Sequence, residues 1–433
     1  MNIKQIHIGL AVFILLFYIG LHPFEESDPA FQELLEETPS VTEDKQKEEP
    51  ITLQITAVGD IMVHGPQLKA QWNEQAKTHD FHNNFQFVKA YIQQADLALC
   101  NLETTFGGKE RGYSSFPLFN SPDTLADALR EAGFHGASTA NNHTLDTGLA
   151  GVLRTLDVLE EKEIAAFGTR RNTSESSFQI LEHKGIKIGL TAYTYETPPW
   201  GEFKTLNAIK IPKEAEALID SFSYQALTKE LEKLKERIQQ MKAEGAELVI
   251  FYLHWGNEYE QEPNPVQRQI AQYLAEEGAD IIFGSHPHVL QPMELIQTAE
   301  KETLVVYSMG NFLSNQRYEI LKNRHTEDGI IVNVLLRKDR QNAPLKIEGV
   351  TYIPTWIHRY RKGQKLVFEI LPLPAALEKP DAYNLTTAKD SLWRAENSLK
   401  NTLGTMVKYT NHRISLYTGE EKKTSYRRPM VED

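Results

Sequence analysis

Cysteine is nearly absent: Cys100 stands alone among 433 residues. One thiol excludes an intrachain disulfide and any cysteine-built zinc site, and the setting Ala98-Leu99-Cys100 is that of a small buried filler. Positive charge is also short. A net charge of −13 argues against nucleic acid as a partner, which needs a basic face. No internal repeat is visible, so the chain does not read as a solenoid or propeller. Charged residues at 24% and hydrophobic ones at 41% are otherwise ordinary for a globular protein large enough to bury a substantial core.

The charge is unevenly placed. Residues 25–50 carry ten acids against Lys45 and Lys47, a local charge of −8. With Glu, Thr, Ser and Pro dominating and little apolar content, 25–50 reads as an acidic, disordered linker. Ahead of it, Lys4 precedes an apolar stretch from Ile6 to Leu21. Extended through Phe24, that stretch reaches the roughly 17–25 residues a bilayer-spanning helix needs. His22-Pro23-Phe24-Glu25-Glu26 offers no Ala-x-Ala-like cleavage site, and no cysteine lies nearby for lipid attachment. The expectation for 1–24 is therefore a signal-anchor with its amino end in the cytoplasm, leaving a single-pass membrane protein whose main domain is extracytoplasmic. A cleaved signal peptide is the alternative.

From Ile51 the pattern becomes that of a folded domain. Ile51–Val58 alternates apolar and polar residues as a strand does. Further strands are expected at Leu97–Leu99, Gly136–Thr139, Ile186–Tyr193, Leu248–Leu253, Ile281–Phe283 and Leu304–Tyr307. Helices are expected at Ser121–Gly133, Gly151–Glu163, Tyr224–Ala243 and Pro265–Glu277. Strands alternating with helices imply α/β layers, whose ligands collect beyond the carboxyl ends of strands. The chain divides into a main domain at 51–355 and a carboxyl-terminal extension at 356–433. In the extension, Trp356–Arg361 and Leu366–Leu371 read as strands and Thr387–Leu403 as a helix.

Five polar clusters fall at those strand ends: Gly59-Asp60-Ile61-Met62-Val63-His64, Asn101-Leu102-Glu103, Asn141-Asn142-His143, His254-Trp255-Gly256-Asn257-Glu258 and Gly284-Ser285-His286-Pro287-His288-Val289. Taken singly, Asp60 after a glycine is a turn former, and His254 beside Trp255 is a core histidine. Together they offer the carboxylates and neutral imidazoles that borderline divalent metals coordinate. His286 and His288, with Pro287 between them, form the strongest pair. They are expected in an extended segment with both imidazoles on one side. Asp146, three residues after His143, can orient that ring.

These clusters, with Tyr307-Ser308-Met309-Gly310-Asn311-Phe312, resemble the CapA family of capsule and poly-γ-glutamate synthesis proteins over roughly Ile51 to Asn333. The resemblance implies a layered α/β/β/α sandwich of metallophosphoesterase type. It implies a divalent metal ion (Mn, Zn, Fe or Mg) held by Asp60, His64, Glu103, Asn142, His254, His286 and His288. His143 and Asp146 would be catalytic, and Asn101, Glu258 and Asn311 would meet substrate. Three departures stand out. The nearest histidine to Asp60 is four positions along rather than two. The bridging aspartate has only Glu103 as a substitute. Position 285 is Ser where many members have His. One metal or a weakly held pair are both compatible with these departures.

Two functions follow. One is an extracytoplasmic, metal-dependent hydrolase or transferase in capsule or poly-γ-glutamate synthesis or export, acting on an anionic polymer or phosphorylated envelope substrate alongside other capsule-synthesis subunits. The other is a non-catalytic polymer-binding or export-complex subunit using the same pocket, with Arg268 or Lys109 supplying positive charge.

Overall fold

The computed structural model describes residues 49–409 and 412–418. The expected anchor at 1–24 and nearly all of the acidic linker lie outside them. Among the described residues, no helix is long and apolar enough to cross a membrane.

Strand β1 (Ile51–Ile61) lies within the first of two large sheets. On one side it is followed in parallel by β2 (Leu97–Leu102), β3 (Gly136–Ser138) and β4 (Ala165–Phe167). The second sheet holds β5 (Ile186–Tyr195), β6 (Leu248–His254), β7 (Ile281–Ser285), β8 (Leu290–Gln297) and β9 (Glu302–Met309). Strands β5, β6, β7 and β9 run parallel, and β8 pairs antiparallel with β9 at the edge. The chain then returns to the first sheet. Short β10 (Asn311–Leu313) pairs parallel with the end of β1. Strand β11 (Asp328–Lys338) runs antiparallel to β1, followed by the antiparallel pair β12 (Lys346–Lys362) and β13 (Lys365–Pro372).

Side-chain alternation explains how the sheets stack. Leu53, Ile55 and Ala57 of β1 and Leu97 and Leu99 of β2 face the second sheet. There they share one core with Ile188, Leu190, Leu248, Ile250, Ile281 and Leu304. The intervening residues Ala98 and Cys100 point the other way, into a core with Phe85, Leu125, Leu129 and Leu159. On the far side of the second sheet, Val249, Phe251 and Ile282 meet Leu234, Ile238, Ile270 and Leu274. The layers are thus helix, sheet, sheet, helix. Strand β6 is buried along its whole length, the mark of a parallel strand covered on both faces. Cys100 is buried filler as expected, and burial pushes its thiol pKa up.

Helix boundaries follow local signals. In α1 (Gly65–Gln71) a proline occupies the first turn; α2 (Thr124–Ala132) ends on left-handed Gly133. After α3 (Gly148–Glu161) and α4 (Leu227–Ala243) comes α5 (Pro265–Glu277). It opens with a reciprocal Asn264–Gln267 cap and closes on Gly278 at φ 98°. Two glycines permit contacts no other residue would. A Cβ on Gly59 would lie 1.9 Å from the Gly310 carbonyl oxygen, and one on Gly284 would lie 2.0 Å from that of Tyr307. Gly59 directly precedes Asp60 and Gly284 lies two residues ahead of His286, so these close approaches fix where the strand ends converge.

The 355/356 boundary falls inside β12, so the carboxyl-terminal segment begins as sheet rather than as an appendage. It continues through α6 (Ser391–Met406), and Ile414–Leu416 adds a short parallel strand to β12. Buried ion pairs tie this part in: Arg317 and Arg394 both reach Glu327, which also accepts from the Trp356 indole at 3.1 Å. His358 is buried beside these guanidiniums and bonds Ser391 at 3.0 Å. Burial first, then Arg317 and Arg394, depress its pKa to about 3.

That depression gives the stability a definite pH dependence. Above the unfolded value of about 6.5 both states are neutral and the stabilisation is complete. Below it the unfolded chain gains a proton that folded His358 refuses. The loss approaches about 2 kcal/mol at pH 5 from this residue alone. His358→Gln removes the titration, so its unfolding free energy should fall less than the wild type's between pH 7 and pH 5, by about that amount. Identical losses in denaturant titrations would show that His358 is not held neutral.

Candidate metal centre

All five clusters meet where the carboxyl ends of β1, β2, β3, β6 and β7 converge. Asp60 is the penultimate residue of β1, in register with Asn101 of β2 on one side and Asn311 of β10 on the other. Glu103 follows β2, the 141–143 segment follows β3 closely, His254 ends β6, and His286 and His288 follow β7. Asp60, Glu103, His254, His286 and His288 are each at most 3% exposed.

Two groups of potential ligand atoms form, each within 4.8 Å: Asp60, Glu103 and His254, and Glu258, His286 and His288. Glu103 Oε1 stands 3.6 Å from both His254 Nε2 and His288 Nε2, yet it has no hydrogen-bond partner. Asn142 Oδ1 lies 3.0 Å from His254 Nε2. Asp60 Oδ2 lies 3.0 Å from His288 Nδ1. A proton on that nitrogen leaves the Nε2 lone pair free toward Glu103. His286 Nδ1 is likewise buried and unpartnered. Orphaned buried acceptors arranged around shared points are what a divalent cation would satisfy, and the donor set of carboxylate, amide oxygen and imidazole suits a borderline metal.

The electrostatics agree. Burial, then Asp60 and Glu258, hold the Glu103 carboxyl well above the ordinary carboxylate range. Burial, then neighbouring imidazoles, push His254 and His286 well below 6.5, which keeps them neutral as ligands must be. Orienting bonds surround the donors. Asn101 donates to Asp60 Oδ1 at 2.8 Å and, more weakly, to Glu103 Oε2 at 3.4 Å. Ser285 Oγ meets His254 Nδ1 at 3.0 Å, so the serine at this departure fixes the ring rather than adding a ligand.

Beside these groups, His143 Nδ1 bonds Asp146 Oδ2 at 2.7 Å. That oxygen also accepts from the Phe119 backbone N–H at 2.5 Å, and the Phe119 ring packs edge-on against His143 at 4.7 Å. Burial raises the Asp146 pKa against the opposing pull of His143.

Several sequence expectations change. His64 is in neither ligand group. Its Nδ1 accepts from the Asn315 backbone N–H at 3.2 Å, its ring packs on Phe119, and burial depresses its pKa to about 3. Four residues beyond Asp60, the chain has already turned into α1. Asn101 and Asn311, expected to meet substrate, are buried beside the ligand groups, and Asn311 Oδ1 has no hydrogen-bond partner. Asn311 donates to the His288 and Thr326 carbonyls at 3.3 and 2.9 Å. Exposed Glu258, expected to meet substrate, instead falls among the potential ligands. The His286-Pro287-His288 segment is not extended. His286 has φ 95° and His288 φ 57°, because the chain turns sharply so that His288 reaches Asp60 while His286 backs onto Tyr195. Such strained backbone clusters at functional sites. Arg268 is directed to Tyr409 at 2.8 Å, and Lys109 lies beside Glu110.

Sequence reasoning missed Tyr195, whose ring lies 4.6 Å from His286 and stacks near His254. The signal was available: Tyr195 ends β5, but the expected strand stopped at Tyr193.

A cluster of carboxylates, amides and imidazoles at parallel strand ends defines an α/β protein with a candidate metal site. The family model for "Bacterial capsule synthesis protein PGA_cap" matches residues 54–316, more than half of the chain, and the chain belongs to that family. It is 28% identical over 349 residues to "Capsule biosynthesis protein CapA" of Bacillus anthracis, covering 79% of this chain and 75% of the relative. It is 27% identical over 278 residues to "PGA biosynthesis protein CapA" of Bacillus subtilis (strain 168), covering 62% and 66%. Among solved structures, a hypothetical protein from Thermus thermophilus overlaps 70% of this chain and 98% of its own, at 16% identity and TM-score 0.39. Sulfate thiohydrolase SoxB of Thermus thermophilus, in complex with glycerol, overlaps 75% and 47%, at 15% identity and TM-score 0.34. Scores this low carry no weight for function.

Glu103 Oε1 faces the Nε2 atoms of both His254 and His288 at 3.6 Å, so Glu103→Ala should abolish stoichiometric transition metal in purified protein. Asn311 meets the ligands only through backbone, so Asn311→Ala should keep most of the metal. Elemental analysis decides, and undiminished metal in Glu103→Ala would place the centre elsewhere.

Proposed function

We propose that the protein is a metal-dependent hydrolase or transferase of metallophosphoesterase type, acting in capsule or poly-γ-glutamate formation outside the cytoplasm. The observation that carries this reading is the buried His143–Asp146 pair beside the ligand groups. A site that only bound polymer would need no oriented imidazole next to a metal. Asp60, Glu103, Asn142 and His254 would hold one ion, and Glu258, His286 and His288 would hold or share a second. A bound divalent ion supplies Lewis-acid polarisation of the reacting phosphoryl or carbonyl oxygen.

The chain's own residues supply the rest. His143, held through Nδ1 by Asp146, presents its other ring nitrogen as the proton donor to the leaving group. Asp146 is itself fixed by the Phe119 N–H, so the imidazole is oriented before substrate arrives. The expected substrates are an anionic polymer or a phosphorylated envelope component, with other capsule-synthesis subunits as partners. The names borne by the two Bacillus relatives support that setting.

A positioned proton donor contributes about 10²–10⁴-fold in rate. His143→Ala should lower turnover by that order while retaining bound metal, whereas Asp60→Ala should lose metal and activity together. Equal metal loss in both would make His143 a ligand. Wild-type protein inert toward phosphoesters and γ-glutamyl amides with Mn²⁺, Zn²⁺, Fe²⁺ and Mg²⁺ would favour the non-catalytic polymer-binding subunit.

The location is also a proposal, resting on Lys4 and the apolar stretch Ile6–Phe24. Protease added to wall-stripped cells should release a fragment near 51–433, cut within the acidic linker. A fragment fully protected until the cells are lysed would reverse the orientation.

A further inference from the structure

An open cavity of about 590 Å³, which the chemistry above does not use, is walled by segments that lead to the candidate metal centre. Its lining includes Leu68 and Lys69 of α1, the aromatic residues Trp72, His79 and Tyr113, and Ser115. Two segments link the walls of the cavity to residues around the site. Helix α1 begins directly after His64, and its first residue, Gly65, belongs to the lining. The 113–119 loop forms the opposite wall and ends at Phe119, whose ring touches both His64, at 5.1 Å, and His143, at 4.7 Å.

The chemistry of the lining is mixed in an informative way. Trp72, His79 and Tyr113 form an aromatic wall, with His79 packing edge-on against each of the other two at 5.1 and 5.3 Å. Lys69 is exposed on the adjacent turn of α1. Ser114 spends its hydroxyl on the Leu118 carbonyl at 2.6 Å. Phe116 and Leu118 on the same loop are 69% and 44% exposed, which extends the apolar surface beyond the cavity mouth. Aromatic faces take methylene groups, the ammonium takes an anion, and the Ser115 hydroxyl suits an amide.

We propose that this cavity is a substrate subsite for an extended chain carrying carboxylates on short methylene stems, with Lys69 as the anion contact and Trp72 and Tyr113 packing the stems. The inference rests on the catalytic reading only for its direction: the chain would run from the cavity past Phe119 toward His143. A highly charged phosphate chain shares the anionic chemistry but lacks the methylenes that the aromatic wall would cover.

The test is direct binding to the full-length protein by calorimetry, with a γ-linked glutamate hexamer and linear tripolyphosphate as the two probes. The hexamer should bind wild type, and Lys69→Glu should weaken that binding about tenfold by replacing attraction with repulsion. Lys69→Arg should restore most of the affinity, and Tyr113→Ala should weaken it with charge unchanged. In parallel, Lys69→Glu should raise KM for an extended γ-glutamyl substrate more than it lowers kcat.

Absence of hexamer binding, or equal affinity in wild type and Lys69→Glu, overturns the subsite. Tripolyphosphate binding as tightly as the hexamer with the same Lys69 dependence overturns the methylene-stem assignment. If no substrate turns over but Lys69-dependent hexamer binding persists, the subsite stands and the catalytic reading falls.

Discussion

Two carboxylates buried together, with no Lys or Arg paired to them among the described residues, set the terms for the rest of this structure. Asp60 and Glu103 are fully buried, joined through the Asn101 amide, and faced by imidazoles that burial keeps neutral. Like charges in a low-dielectric interior are costly unless a proton or a cation joins them. Burial, then the neighbouring Asp60 and Glu258, raise the Glu103 pKa, which favours a proton there when no cation is present. A divalent ion relieves the same cost while using the Glu103 and His286 atoms that otherwise lack partners. Burial alone thus makes a cation favourable at this point, before any reaction is considered.

Holding such a cluster demands rigid surroundings, and the two sheets provide them. Gly59 and Gly284 allow neighbouring backbones to approach where any side chain would clash, beside Asp60 and just ahead of His286. The left-handed backbone at His286 and His288 is retained because the surrounding strands over-determine it. Support arrives from far along the chain. Arg317, itself buried, donates to the Ile357 carbonyl at 2.8 Å and pairs with Glu327. This anchors the 314–317 segment, whose Asn315 N–H engages His64. Strands β11 to β13 thus brace the site without contributing a ligand.

The location of the His143–Asp146 pair follows from the same logic. The two residues are three positions apart, but their alignment depends on the Phe119 N–H from a separate loop. That loop also walls the adjoining cavity, so one segment orients the imidazole and shapes the approach to it.

Much of this was legible in the sequence. The two-residue alternation of β1, the uniformly apolar β6, and the Asn264 and Gly278 signals of α5 are local, and local patterns specify elements directly. The polar clusters at strand ends, with Asp146 just beyond one of them, marked residues that the fold does make neighbours: Asp60, Glu103, Asn142, His143, Asp146, His254, His286 and His288. This worked because parallel strands bring their carboxyl ends to one edge. What the sequence could not decide was direction at the far side of each turn. His64 lies four residues from Asp60 yet faces Asn315, and Glu258 joins His286 and His288 from beyond a different strand. Asn101 and Asn311 serve neighbouring ligands and backbone, and β12 carries the chain unbroken across the 355/356 boundary. Spacing along a chain records strand ends faithfully, but the path of a turn is set by the atoms it packs against, and only the tertiary structure brings those atoms together.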